Sequence, residues 1–164
     1  MPGFVEVTHQ EWIAAAEPLV RQQFADLQHH IATGVHSRVK FEVLSESFKR
    51  ARFVREVNLL GLHIRDVYVR EFEPDGTMLD TAIAGPNKGA TMMFRFTSSS
   101  LASAVGTVVE INVRLPLPRF IGLLVKPLLR AQVRRAVQRA AAEDKFDLEI
   151  RGYMPVQRPL AVAA

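Results

Sequence analysis

The sequence predicts an α+β domain in which a curved antiparallel sheet of about seven strands wraps one long C-terminal helix. Three observations carry this prediction. Residues 107–115 alternate strictly between apolar and polar and run into Pro116 and Pro118. A basic amphipathic pattern then covers about residues 119–144, the longest helical period in the chain. Ahead of it lies a series of strand-like runs separated by turn signals, with no second helix of comparable length.

The elements follow in order. Residues 4–8 alternate as a short first strand. From about residue 10 to 31 the period becomes helical, with Trp12, Ala16, Leu19, Val20, Phe24 and Leu27 at three- and four-residue steps. Pro18 interrupts this pattern and predicts two short helices with a break near Glu17, the second ending at Gly34. Val39, Phe41 and Val43 then alternate with Lys40 and Glu42. Runs over 50–60 and 62–72 are separated by Gly61, and Pro74-Asp75-Gly76 turns the chain into 77–84. The turn from Gly85 to Gly89 leads to 91–97, and the Ser98-Ser99-Ser100 stretch reads as a loop before the last strand. Short turns between successive runs make an antiparallel meander. In the long helix, Val125, Leu129, Val133, Ala136 and Ala140 form one apolar stripe, and Pro127 predicts a kink. Beyond Ile150 two prolines and no period predict a partly mobile tail, so residues 1–150 are expected as one domain and 151–164 as an extension.

Composition bounds the function. With 164 residues, 48% hydrophobic and 23% charged, the chain suits a single domain with a buried core. The absence of cysteine excludes disulfides, thiolate metal sites and cysteine nucleophiles. The first residues show neither a basic n-region nor an apolar h-region, and the apolar run 120–125 is too short to span a bilayer, so a soluble, cytoplasmic protein is expected. Arg119, Lys126, Arg130, Arg134, Arg135, Arg139 and Lys145 crowd the last helix against only Glu143 and Asp144. No aromatics interleave them, so no nucleic-acid partner is expected. They read as a solvated face, with weak contact to an anionic membrane surface as the alternative.

The order strand, two short helices, six strands, long helix, together with Ala142-Glu143-Asp144-Lys145 and Leu148-Glu149 at the helix end, resembles the START/Bet v 1-like (SRPBCC) superfamily over residues 4–150. The resemblance implies a helix-grip fold with a deep cavity between sheet and helix. It implies binding of a hydrophobic small molecule there: a lipid, a sterol-like or a polycyclic aromatic compound. By alternation the inward faces carry Phe41, Phe53, Arg55, Val57, Leu79, Met92, Phe94, Phe96 and Ile111, with Val125 and Leu129 from the helix, and these form the expected ligand-binding set. The same residues would equally fill a solid core. An internal Arg55 needs a carboxylate partner or an anionic ligand group, whereas a bulge would turn it to water. Some members of the superfamily are polyketide aromatases or cyclases, which makes an enzyme of that cyclase or dehydratase type the alternative. Arg55, Asp66, Tyr68, Asp80 and Arg95 are the candidate polar groups for it.

Asp26, His29, His30 and His36 lie close in sequence. Asp-x-x-His followed by a second histidine resembles the catalytic domain of Rieske-type oxygenases. That resemblance implies His30, His36 and Asp144, or Glu143 in its place, as ligands of a mononuclear Fe2+. Five residues separate His30 from His36 where that pattern has four, and no cysteine is present to hold a Rieske cluster. The expectation is therefore no cofactor, with Fe2+ as the alternative. His9 and His63 stand alone and read as structural. No phosphate loop, dinucleotide fingerprint, His-Glu-x-x-His or nucleophile elbow occurs.

Overall fold

The computed structural model describes residues 3–101, 103–117 and 125–155. Seven strands, β1 (Phe4–Ile13), β2 (Val39–Glu46), β3 (Arg50–Leu59), β4 (Leu62–Phe72), β5 (Met78–Ala84), β6 (Thr91–Leu101) and β7 (Ala104–Pro116), form one sheet in the order β1-β7-β6-β5-β4-β3-β2. All neighbours are antiparallel. Helices α1 (Glu17–Ala25) and α2 (Leu27–Thr33) connect β1 to β2. Helix α3 (Val125–Phe146) follows β7 and continues into a π-helical turn, Asp147–Arg151. Val109, Ile111, Val113 and Leu115 of β7 are buried, as their alternation requires. They belong to the same core as Leu129, Val133, Val137 and Ala141 of α3, which recur every four residues along one helix face. This is the α+β helix-grip arrangement. Among the described residues no helix is long and apolar enough to cross a membrane.

Several local expectations change, each for a physical reason. Strand β1 extends to Ile13 because ten successive residues pair with β7, from Phe4 opposite Pro116 to Ile13 opposite Thr107. That ladder overrides the helical period of residues 10–13. Pro18 starts α1 instead of breaking it, since the first turn needs no N–H there. The break falls at Asp26, whose side chain accepts a hydrogen bond from the His29 amide at 3.0 Å and caps α2. The serines at 98–100 are paired in β6, which runs to Leu101. Pro127 stands in the first described turn of α3, and residues 118–124, across which a bend would show, lie outside the described residues. Tyr153, expected in a mobile tail, is buried, and its hydroxyl donates to Asp26 Oδ2 at 2.9 Å. The remaining tail, 156–164, lies outside the described residues.

The largest correction concerns β5. Its inward residues are Met78, Asp80 and Ala82, so Leu79 and Ile83 lie on the outer face. The more hydrophobic face of this strand points out because Asp80 stands opposite Arg70 of β4 and pairs with it inside the core. The helix stripe shifts similarly: Val137 and Ala141 are buried in place of Ala136 and Ala140. Leu60 and Gly61, both at positive φ, make the tight β3–β4 hairpin. The turn after β5 depends on Gly85, where a Cβ would come within 2.4 Å of Asp66 Oδ1 at a φ of +105°. That close approach lets the buried Asp66 carboxylate accept from the Asn87 amide at 2.9 Å and side chain at 2.8 Å, and so hold Asn87 beside the cavity described next.

Candidate ligand cavity and the adjoining histidine cluster

Between the inner face of the sheet and α3 lies a cavity of about 160 Å3. Phe41, Val57, Met92, Phe94 and Ile111 line it from the sheet, and Val133 and Val137 from α3. The period of two along each strand and of about four along the helix brings these apolar side chains together. Arg55, Asn58, Asn87 and Asp144 are the polar groups in the wall.

Arg55 is on the inward face of β3, between Phe53 and Val57. Its guanidinium carbon lies 4.2 Å from the centre of the Tyr68 ring. One terminal nitrogen donates to the Tyr68 hydroxyl, and the other lies 3.9 Å from Met92 Sδ. The Nε is buried and has no hydrogen-bond partner. No ion pair to Arg55 occurs among the described residues. Burial pushes the Tyr68 phenol up, against the opposing pull of Arg55, so the hydroxyl stays protonated. Phe53 stacks on Tyr68 at 5.7 Å and lies in the packed core behind this pair. Arg70 and Asp80 form a two-pronged pair, with Nε to Oδ1 at 2.7 Å and Nη2 to Oδ2 at 2.8 Å. The remaining Arg70 nitrogen donates to the Phe24 carbonyl at 3.0 Å and ties α1 to the sheet.

At the α2 end, Asp144 links the cavity to a buried histidine cluster. His30 Nε2 lies 3.4 Å and His36 Nε2 3.5 Å from Asp144 Oδ1. The same oxygen accepts from Gln23 at 3.1 Å. His36 Nδ1 faces Glu143 at 3.2 Å. The His30 contact is close enough for an ion pair, but Nε2 makes no directed hydrogen bond. Burial pulls the His30 imidazole below its ordinary pKa, against the attraction of Asp144. Burial also disfavours the charge on His36, yet Asp144 and Glu143 together outweigh it and hold that imidazole above its ordinary value. His29 turns away to Asp147, 2.8 Å distant, which also accepts from Gln23 at 3.0 Å.

The cavity opens between the β2–β3 side of the sheet and α3 into a groove of about 410 Å3, flanked by Arg38, Arg135 and Arg139. Of the residues expected to bind ligand, Phe41, Arg55, Val57, Met92, Phe94 and Ile111 line the cavity. Phe53 and Leu129 are core residues outside its lining. Phe96 packs on Phe24 at 5.6 Å, and Val125 is half-buried at the start of α3. Leu79, on the outer face, takes no part. Of the polar candidates, only Arg55 lines the cavity, with Tyr68 bonded to it. Asp66 holds a turn, Asp80 is paired with Arg70, and Arg95 is exposed beside Glu110. His63 faces solvent near Glu56. Sequence reasoning missed Arg70 and Gln23, which no local pattern marks as buried.

The chain matches no family model and no curated protein. Solved structures do match it. A ZhuI aromatase/cyclase from Streptomyces sp. R1128 superimposes with a TM-score of 0.70 at 16% identity, over 93% of this chain and 100% of that one. A START superfamily protein from Mycobacterium smegmatis gives 0.69 at 11% identity over 89% and 99%. Ara h 8.0201 gives 0.60 at 9% identity over 87% and 96%. The narrower likeness to Rieske-type oxygenases finds no support among these structures. A seven-stranded sheet closed on its last helix, shared over the full length of such neighbours, makes this chain a helix-grip protein with the fold of the START/Bet v 1-like superfamily.

Proposed function

We propose that the protein binds a hydrophobic small molecule in this cavity, with Arg55 holding a polar oxygen of the ligand. The observation that carries the reading is the Arg55 Nε, buried in a mostly apolar wall without a hydrogen-bond partner. A buried donor left unfilled costs about 1–3 kcal/mol, which a ligand oxygen offsets. A volume of about 160 Å3 is close to that of an engineered apolar cavity known to accept benzene, so it encloses one ring or a short aliphatic segment, and a second fused ring reaches into the adjoining groove. Burial of that segment supplies the affinity at about 25 cal/mol per Å2. One structural neighbour is described as an aromatase/cyclase. In a catalyst of that class, Arg55 and Tyr68 would polarise a carbonyl oxygen of the enclosed substrate. Fluorescence titration with 1-naphthol and calorimetry with naphthalene test the reading. Saturable binding of both is expected, with 1-naphthol about tenfold weaker in Arg55→Met and naphthalene little changed. Failure of either compound to bind the native protein saturably overturns it.

A second reading, a metal site, rests on the histidine cluster. His30, His36 and Asp144 each present one ligand atom, all within 4.8 Å of one another, and His30 Nε2 makes no directed hydrogen bond. Two imidazoles and a carboxylate form a donor set that fits a divalent ion such as Fe2+. Glu143, against His36 Nδ1, is the outer partner that orients such an imidazole. When bound, the ion would supply Lewis-acid or redox chemistry at the end of the cavity that Asp144 lines. Anaerobic addition of Fe2+ should leave one equivalent bound after desalting and raise the Tm, and His36→Ala should lose both effects. Iron that fails to stay with the native protein, or that stays equally with His36→Ala, removes this reading.

A further inference from the structure

The cavity is smaller than the roughly 300–1,000 Å3 of most small-molecule sites, so a ligand of ordinary size cannot be contained in it. The remainder must project into the groove, because Val39, Val57, Asn58, Leu59, Ala136 and Ala140 line both spaces. What meets it there is positive charge. Arg38 comes from the α2–β2 connection, and Arg135 and Arg139 lie one helical turn apart on α3. Among the described residues Glu143 is the single carboxylate lining the groove, and it is already engaged by His36 Nδ1 at 3.2 Å and by the Ser37 amide at 3.3 Å. Elsewhere on the surface Arg21, Arg65 and Arg95 each have a carboxylate partner, in Glu17, Glu42 and Glu110, whereas Arg130 and Arg134 have none among the described residues but do not line the groove. Arg38, Arg135 and Arg139 have none among the described residues. Two like charges at this helical spacing repel each other, and a bound anion relieves that repulsion.

We propose that Arg38, Arg135 and Arg139 form an anion subsite at the mouth of the cavity, and that the ligand is therefore an amphiphile with a phosphate group on an apolar segment. The proposal rests on the cavity being a ligand site. The planar guanidinium matches the phosphate oxygens in pairs, which makes arginine well suited to such a group. The phosphate belongs either to a soluble monoester or to a phospholipid headgroup, and the two sources share this chemistry.

Calorimetric titration with octyl phosphate and with 1-octanol tests it. Octyl phosphate should bind at least about tenfold more tightly than 1-octanol, and the advantage should shrink at high salt. In the double variant Arg135→Ala/Arg139→Ala the advantage should disappear while 1-octanol binds as before. Co-sedimentation with phosphatidylglycerol vesicles but not phosphatidylcholine vesicles, lost in the same variant, assigns the phosphate to a lipid headgroup. Octyl phosphate binding without vesicle binding assigns it to a soluble monoester. Octanol binding with no advantage for octyl phosphate, or an advantage that survives the double variant, overturns the anion subsite and leaves the cavity reading standing. If neither compound binds, both readings fall.

Discussion

Asp80→Ala is expected to lower the unfolding free energy by about 3–5 kcal/mol, the range for a buried ion pair that loses one partner. Arg70 and Asp80 retain only 4% and 2% of their exposure. They stand directly opposite each other on β4 and β5 and exchange two hydrogen bonds. Without Asp80 the guanidinium stays charged between the rings of Phe53 and Phe94, 5.2 and 6.0 Å away, with only the Phe24 carbonyl to satisfy it. Water cannot reach it without opening the core. The double variant Arg70→Met/Asp80→Leu removes both charges and should recover most of the loss. Urea unfolding measures all three proteins. A single-variant loss below about 1 kcal/mol, the scale of an exposed pair, would show that this pair is not shielded from water.

Ala136→Trp should reduce 1-naphthol affinity at least about tenfold with stability changed by no more than roughly 0.5 kcal/mol, the usual range for a surface position. Ala136 is exposed on α3, yet it lines both the interior cavity and the groove. An indole there occupies the passage between the two without forcing core side chains off their rotamers. Ala142→Trp, on an exposed position of the same helix away from both spaces, is the control and should bind normally. Undiminished binding to a folded Ala136→Trp protein would place the bound ligand elsewhere on the molecule.

Much of this protein was legible in its sequence. The alternation of β7, the turn signals between successive strands and the helical period after residue 125 are local patterns, and local patterns depend on residues a few positions apart. Arg55 could be marked as a cation on an apolar strand face, and His30, His36 and Asp144 could be named as one set. What the sequence left open was whether they meet. They do so because the fold brings the end of α3 within reach of His30 and His36, and Gln23 of α1 bonds to Asp144 from 121 residues away.

The tertiary structure decided the rest. Periodicity favoured the greasier face of β5 for the core, but a register opposite β4 buried Asp80 against Arg70 and turned Leu79 outward. Helical period ran through residues 10–13, but ten pairs with β7 made them strand. The basic residues of α3 read as one solvated face, and only the placement of that helix across the sheet set Arg135 and Arg139 at the mouth of a cavity with Arg38. In each case the deciding partner is distant in sequence. Local pattern states which residues share a face, whereas the pairing energy between remote elements states which way that face points.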